Sequence, residues 1–336
     1  MDPAGNVGGR RPDGLGRGQR AIDQGDSLWE ELLGMTREPV IRRATHEDIE
    51  ACHEVMWRSV TDFGRRKGTP LEGTASDWWA SGERLQRFLA THAAEWWVAE
   101  EPDTGAIIGY GRSIERGGLF ELTEFFVVPT SQSRGIGRAL IERVFPVGRG
   151  DVRSIIATTD VRALSRYYAA GTAARFPLLT LVGPPADAGP GDDLQARRLG
   201  VDPEEDRRAQ REIERSILDF ARGEAEVRWL LEDREGYLYV RDDASVGFAF
   251  VGKHGAGPIA ALDPVDLSDI LLHVEGRASE LGIERLEFQV PAPNEVATRH
   301  LLGRGFRLDP WVNLLMSNRP FGRFDRVISF GPPVFL

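Results

Sequence analysis

The chain has 336 residues, of which 41% are hydrophobic and 28% are charged, and its formal net charge is −10 at pH 7. This length exceeds one typical core and predicts two domains of about 150 residues each. The acidic balance argues against nucleic acid as the main partner, and no apolar run reaches the roughly 18 residues that a membrane-spanning helix needs. The single cysteine, Cys52, excludes an internal disulfide framework. Together with the lack of an apolar secretory segment at the start, it predicts a cytoplasmic protein.

The start of the chain carries a weak structural signal. Its stretch "MDPAGNVGGRRPDGLGRGQR" is rich in Gly and Arg and has almost no apolar content. We therefore predict that residues 1–38 form a disordered tail followed by a short helix.

From Pro39 onward the pattern becomes regular. "PVIRRAT" predicts a strand, and two segments with helical spacing follow it. "EWWVAEE" and "AIIGYGRSIE" flank the turn "PDTG" and predict a hairpin, and "LFELTEFFVVP" predicts another strand. The pattern then alternates helix, strand, helix and strand up to "RFPLLTLVG". This part, residues 39–182, is predicted to be the first domain.

A Pro/Gly-rich linker at residues 183–193 separates this part from a second copy of the same order. "LQARRLGVDPEEDRRAQREI" can be aligned with "PVIRRATHEDIEACHEVM", and "GYLYVRDDASVGFAFVG" with "WWVAEEPDTGAIIGYGR". The interval of about 150 residues favours a pair of domains over a solenoid. We therefore predict a tandem duplication, with the second domain at residues 194–336.

The stretch "TSQSRGIGRAL" follows a predicted strand and begins a predicted helix. Glycines at positions 135 and 137 expose the backbone N–H groups of the helix N-terminus, where the macrodipole also favours an anion. Arg134 and Arg138 add positive charge at the same end. The pattern indicates a phosphate site; the alternative is a glycine-rich turn that only allows close helix packing.

The strand before this stretch has an irregular spacing. In "LTEFFVVP", Leu122 and Phe125 are three residues apart, whereas Phe125 and Val127 are two apart. A regular strand keeps a spacing of two, so we predict a β-bulge between Leu122 and Phe125. The apolar neighbours leave a regular strand buried on both faces as the alternative.

These motifs resemble those of the GNAT superfamily of N-acetyltransferases. The strand "LTEFFVVP" and the glycine-rich helix start are similar to the family's coenzyme A motif, and "DVRALSRYYAAG" is similar to its downstream helix motif. The resemblance implies an α/β class (an α+β mixed sheet) with two tandem acetyltransferase-like domains, each a mostly antiparallel sheet flanked by helices. It also implies that acetyl-CoA serves as co-substrate and contacts Phe126, Val127, Val128, Gln132, Arg134, Gly135, Ile136, Gly137, Arg138 and Ala139.

The downstream motif carries the candidate acid. In the register of the family pattern, Ala163 and Gly171 match, whereas Asp160 replaces an asparagine and Thr172 a phenylalanine. Tyr167 falls on the residue that protonates the departing thiolate. A phenol with a pKa of about 10 can donate to a thiolate whose conjugate acid has a pKa of about 8.5 if it lies within hydrogen-bond reach. Tyr168 is the neighbouring alternative, and Tyr167 could instead be a packing residue.

A base must also accept a proton from the attacking ammonium group. Glu124 is the candidate, with Glu121 or a water chain as alternatives, and each carboxylate could instead be a structural ion-pair partner. The expected reaction is direct attack of a primary amine of a small molecule or peptide on acetyl-CoA. A non-catalytic acyl-CoA sensor is the alternative.

The tryptophan pairs at positions 78–79 and 96–97 could line an acceptor cleft but are more typical of a core.

The second copy loses the chemical residues. Aligning Pro264 with Pro129 places apolar residues on the glutamine and glycine positions of the phosphate motif, and Leu301 on the tyrosine; the three apolar replacements are Leu267, Ile270 and Leu272. Asp266 and Asp269 would repel a pyrophosphate. We predict a degenerate second domain and a single coenzyme A site per chain.

Other partners are not indicated. The six histidines show no metal-ligand spacing, so we expect no metal. We expect no nucleic acid or membrane partner and either a monomer or a homodimer, and the identity of the amine stays open.

Overall fold

The structure is a computed structural model that describes residues 37–132, 134–186, 193–200, 203–253 and 255–329. The predicted tail and short helix at residues 1–36 and linker positions 187–192 lie outside these residues. From Val40 on, the described residues belong to one compact unit.

The first half of the chain alternates strands and helices as the sequence pattern predicts. Its elements are β1 (Val40–Arg43), α1 (Ile49–Lys67), α2 (Ala75–Thr91), β2 (Glu95–Glu100), β3 (Ile107–Arg116), β4 (Leu119–Val127), α3 (Ile136–Val144), β5 (Val152–Ala157), α4 (Val161–Ala169) and β6 (Ala173–Gly183).

The second half repeats this order and adds a short strand near its end. Its elements are β7 (Gln195–Arg198), α5 (Pro203–Leu218), α6 (Glu224–Leu231), β8 (Arg234–Arg241), β9 (Ala244–Gly252), β10 (Gly255–Ala261), α7 (Leu267–Glu280), β11 (Leu286–Pro291), α8 (Glu295–Gly303), β12 (Arg307–Ser317) and β13 (Val327–Ile328). Short 3-10 turns occupy Pro129–Ser131, Pro264–Asp266 and Phe324–Arg326.

Local signals explain where helices of the first half begin. Thr74 caps α2 in a capping box with Asp77, each side chain bonding the other residue's backbone. Asp160 caps α4 by accepting a hydrogen bond from the Arg162 amide, 3.0 Å away. The second cap fixes the start of the helix that carries Tyr167.

The strands form two sheets that do not divide at the linker. An eight-stranded sheet has the order β1-β2-β3-β4-β5-β12-β6-β11, and a five-stranded sheet has the order β13-β10-β9-β8-β7. Most pairings are antiparallel, whereas β4 and β5 run parallel. The predicted mixed, mostly antiparallel class is confirmed. The domain limits at 182 and 194 stay a prediction, because strands of the second half complete the first sheet.

Strand exchange ties the halves together. β12 pairs with β5 on one side and with β6 on the other, so a strand of the second half lies between two strands of the first. A buried apolar cluster also joins both halves, with Phe88 and Leu89 of α2 packed among residues that include Ile213 and Ile217 of α5. Arg116 of β3 forms ion pairs with Glu121 and with Glu226 of α6.

Both halves contain a strand glycine against which the following helix packs closely, as expected for a duplication. A Cβ added at Gly109 of β3 would lie 3.3 Å from Ile136 Cγ2 of α3, and one added at Gly247 of β9 would lie 2.7 Å from Ile270 Cδ1 of α7. In both halves, therefore, a strand glycine lets the following helix pack close to the sheet. Cys52 is fully buried, and burial raises the pKa of its thiol to about 12.

Candidate active site

Strands β4 and β5 separate partway along their length. Their parallel pairing runs from Leu119 with Val152 to Leu122 with Ile155 and then stops. Against β3, Ser113 lies opposite Leu122 and Arg112 lies opposite Glu124, so Thr123 is an extra residue. The bulge predicted between Leu122 and Phe125 is confirmed. It bends β4 away from β5 and leaves a wedge open between them.

A cavity of about 540 Å³ occupies this wedge. Its volume is in the usual range for small-molecule sites. The walls come from α1, β4, the helix start at α3, β5 and α4, and the residues are Ser59, Val60, Phe63, Leu122, Thr123, Glu124, Phe125, Phe126, Val127, Ser131, Gln132, Gly135, Ile136, Gly137, Ile155, Ile156, Thr158, Asp160, Arg162, Ala163, Ser165, Arg166 and Tyr167.

The glycine-rich stretch lies at the cavity as the start of α3. Gly135 is the N-cap residue and has φ +80°, a left-handed conformation that favours glycine. A Cβ added there would meet no atom within 4 Å, so the space in front of the helix is open. The Arg138 and Ala139 amides donate to the Gly135 carbonyl, which leaves the amides before them without an intrahelical acceptor. This terminus fits an anionic group.

The two arginines predicted to add positive charge at this helix start lie away from the cavity. Arg134 is exposed and forms an ion pair with Glu101 of the β2–β3 turn, with 2.7 Å between Nη1 and Oε2. Arg138 is also exposed, and neither arginine lines the cavity. Ala139 lies one turn into the helix, also off the cavity wall. Gln132 does line it and donates to the Val127 carbonyl at 3.2 Å.

The exposed edge of β4 presents backbone amides to the wedge. The Val128 amide donates to the Ile108 carbonyl of β3 at 2.9 Å, and Val128 itself is buried in the core. Because successive N–H groups of a strand point to opposite edges, the Val127 amide faces away from β3. Phe126 and Val127 both line the cavity.

Tyr167 reaches the cavity from α4. Its side chain is buried, and its ring packs edge-on against Phe125 at 6.0 Å. Burial raises the pKa of the phenol above its ordinary value, with a smaller contribution from the Asp160 charge, so the hydroxyl stays protonated at neutral pH. Among the described residues no hydrogen bond to this hydroxyl is found, and Tyr167 lines the cavity wall. Tyr168, the alternative, is half exposed and points to the Ala174 amide.

Glu124 lines the cavity but is firmly held. Its carboxylate accepts hydrogen bonds from Gln86 Nε2 at 2.7 Å, Tyr110 Oη at 3.1 Å and Arg112 Nε at 2.7 Å. Arg112 is fully buried, so this is an ion pair shielded from water. Glu121, the alternative, is paired with Arg116 and lies outside the cavity.

Sequence reasoning missed two groups on the cavity wall. Arg162 and Arg166 lie one turn apart on α4, and Arg162 bonds to Asp160 and to the Gln132 side chain. Ser59 and Phe63 lie one turn apart on α1. The spacing of four within each helix was a usable signal, but only the folded structure brings the two helices to one cavity. The four tryptophans weighed for an acceptor cleft do not line it.

The equivalent helix start in the second half is closed. Leu267 and Ile270 are fully buried, and Leu301 is buried at the position equivalent to Tyr167. In the described ranges, no cluster of His, Cys, Asp and Glu could hold a metal ion. Nor does any helix described there have the length and apolar character needed to cross a membrane.

The part of the chain that contains these motifs matches a known domain family. Residues 92–171, which run from before β2 to just after α4, match the acetyltransferase (GNAT) domain family. No curated protein sequence matches the chain.

Several solved structures share the fold over most of the chain. A putative acetyltransferase from Pyrococcus horikoshii has a TM-score of 0.64 at 17% identity, covering 87% of this chain and 93% of its own. A GCN5-related N-acetyltransferase from Sphaerobacter thermophilus has a TM-score of 0.54 at 14% identity, with 84% and 96% coverage. A tandem GNAT protein from the clavulanic acid biosynthesis pathway has a TM-score of 0.50 at 15% identity, with 84% and 99% coverage. At these identities the likeness shows the fold.

Proposed function

Because the chain carries an acetyltransferase (GNAT) domain, a fold that supports acyl transfer, we propose that it is an acetyl-CoA-dependent N-acetyltransferase. Its acceptor is a primary amine of a small molecule or peptide, and its single active site is the wedge of the first half. The observation that carries this proposal is the convergence on one cavity of a free helix N-terminus, an exposed strand edge and the buried side chain of Tyr167.

Different residues of the cavity bind the pyrophosphate, the pantetheine arm and the thioester of acetyl-CoA. The amides at the start of α3 receive the pyrophosphate, aided by the macrodipole and by the space that Gly135 leaves open. Gln132 and Arg162 border that place. The free edge of β4 then accepts the pantetheine arm, and the Val127 amide stabilises the negative charge that develops on the thioester oxygen.

The amine nitrogen forms a bond to the acetyl carbon as the carbon–sulfur bond breaks. Tyr167 donates its proton to the departing sulfur, since its raised pKa keeps the phenol protonated and its side chain lines the cavity. The phenol regains a proton from the nitrogen as the amide forms. No covalent enzyme intermediate is needed, and the buried Cys52 does not line the cavity.

The attacking ammonium must first lose a proton. Glu124 is the proposed acceptor, acting through a water molecule, because its oxygens already accept bonds from Gln86, Tyr110 and Arg112.

The test measures coenzyme A thiol release from acetyl-CoA with a panel of primary amines. Tyr167→Phe removes only the hydroxyl, and we expect kcat to fall about 10²–10⁴-fold with little change in the acetyl-CoA KM. Tyr168→Phe is the matched control and should leave kcat unchanged, because Tyr168 points away from the cavity.

Other outcomes are informative. Unchanged turnover in Tyr167→Phe would remove the tyrosine from the proton transfer. Tight coenzyme A binding without turnover on any amine would favour the acyl-CoA sensor, for which the engaged state of Glu124 is the supporting observation. Absence of coenzyme A binding would overturn both functions.

A further inference from the structure

The second half repeats the bulge of the first. Between β10 and β9 the register shifts between Ala256 and Ile259, so that two residues of β10 lie opposite Phe250. With Pro264 aligned on Pro129, these two residues fall on Leu122 and Thr123. β10 thus bends as β4 does, and within the described residues it makes no ladder with β11.

A short segment from the end of the described chain fills this second wedge. β13 pairs antiparallel with β10, with Ile328 opposite Ile259 and Val327 opposite Ala260. Under the same alignment, Ile259 and Ala260 correspond to Glu124 and Phe125, the residues on the open edge of β4. On its other side the segment reaches β11, where the Ser329 amide donates to the Gln289 carbonyl at 2.9 Å.

Side chains hold the segment at both ends. Asn294, fully buried, donates from Nδ2 to the Val327 carbonyl at 2.9 Å, and it aligns with Asp160 of the first cavity. The Arg326 guanidinium donates to the carbonyl of Leu262, which aligns with Val127. Val327 and Ile328 are both buried. The segment therefore meets counterparts of residues that border the first cavity.

The two wedges differ in the space that remains. The first holds a cavity of about 540 Å³, whereas the space beside β13 is about 10 Å³ and is lined by Phe324, Val327 and Ile328 themselves. A volume of this size holds at most one water molecule.

We propose that the second wedge is a groove for an extended peptide strand and that its ligand is this chain's own segment 324–329. Backbone pairing on both sides and apolar side chains in pockets are the features by which a sheet edge binds an added strand. The segment takes the place that the pantetheine arm takes in the first half, a parallel that rests on the proposed function. The second half is thus filled from within, and it admits no coenzyme A.

The experiment removes the segment and returns it as a peptide. A chain ending at Arg323 should unfold at a temperature lower by about 10 °C, because the pockets of Val327 and Ile328 are left empty. A synthetic peptide of residues 324–336 should bind this chain with one-to-one stoichiometry and restore the unfolding temperature. The same peptide with Ile328→Asp should do neither. An unchanged unfolding temperature together with no peptide binding would overturn the proposal.

A second measurement covers the case in which the shortened chain does not fold. Hydrogen exchange on the full chain should show the Ser329 amide protected, and Arg326→Met should speed its exchange at least about tenfold by removing the bond to Leu262. Arg323→Met is the control, since among the described residues that side chain pairs only with Asp325. Exchange of Ser329 at the rate of an unstructured chain would refute the groove.

Titration of the full chain with coenzyme A separates the two proposals. Peptide rescue without any coenzyme A binding would leave the groove standing and overturn the proposed function. Binding of two coenzyme A molecules per full chain would overturn the groove.

Discussion

At the residue scale, two ionisable side chains of the cavity wall differ in their hydrogen bonding. Tyr167 is buried and no hydrogen bond to its hydroxyl is found among the described residues, whereas Glu124 is buried with its oxygens occupied by Gln86, Tyr110 and Arg112. A free donor can give its proton to a leaving group at once. An occupied acceptor holds its geometry and acts through water. The structure also separates Glu124 from Glu121, which local sequence could not, because the ion pair with Arg116 depends on the path of β3.

The glycines of the helix start offer a test at this scale. Gly137→Val should raise the Kd for coenzyme A at least about tenfold, a loss of about 1.4 kcal/mol, because its branched side chain narrows the approach to the helix amides. The fold should tolerate it, since an added Cβ would make only ordinary contacts, 3.7 Å from Phe125 Cζ. Gly82→Val on α2 is the control, as nothing lies within 4 Å of its Cβ. Calorimetry that finds equal affinity for Gly137→Val and the unchanged chain would reject the phosphate assignment.

At the element scale, the β4 bulge decides whether the wedge exists. One extra residue, Thr123, separates the part of β4 that pairs with β5 from the part that borders the cavity. Because of this extra residue, the side chains from Glu124 onward point to the opposite faces of the sheet from those they would have in a regular strand.

Deleting Thr123 should close the wedge. The strand would regain a regular spacing with Glu124 still opposite Arg112, and without the bend β4 would no longer turn away from β5. We expect no measurable coenzyme A binding, because the wedge that holds the cofactor would be closed. Thr123→Ala keeps the residue count, loses only the bond to the Arg112 carbonyl and should retain binding. Calorimetry and thermal unfolding of both variants provide the measurement; retained binding in the deletion would contradict the role of the bulge.

At the scale of the whole molecule, the halves share one sheet. β12 lies between β5 and β6, and β5 in turn forms one wall of the cavity. The second half therefore supports the proposed active site through backbone pairing.

Separating the halves should show this dependence. The first half expressed alone should aggregate and fail to bind coenzyme A, because β5 and β6 lose the strand between them and expose unpaired edges. Co-expression with the second half should restore a soluble complex that binds coenzyme A. Size-exclusion chromatography and calorimetry distinguish the outcomes, and a soluble first half with normal affinity would contradict the structural role of β12.

The sequence by itself determined the local features. The helix start at Gly135 and the slip before Phe125 are each set by residues within one or two turns, so spacing was enough to predict them. The duplication was equally readable, because aligned glycines such as Gly109 and Gly247 serve the same close packing.

Only the tertiary structure decided the rest. The exchange of β12, the meeting of Arg162 with Gln132, and the filling of the second wedge by β13 all join residues far apart in the chain. Such pairings depend on which sheet edges remain unpaired after the other strands have paired. The local spacing of residues does not predict which strands will pair. One wedge stays open and the other is filled, although the strands that form them share the same bulge.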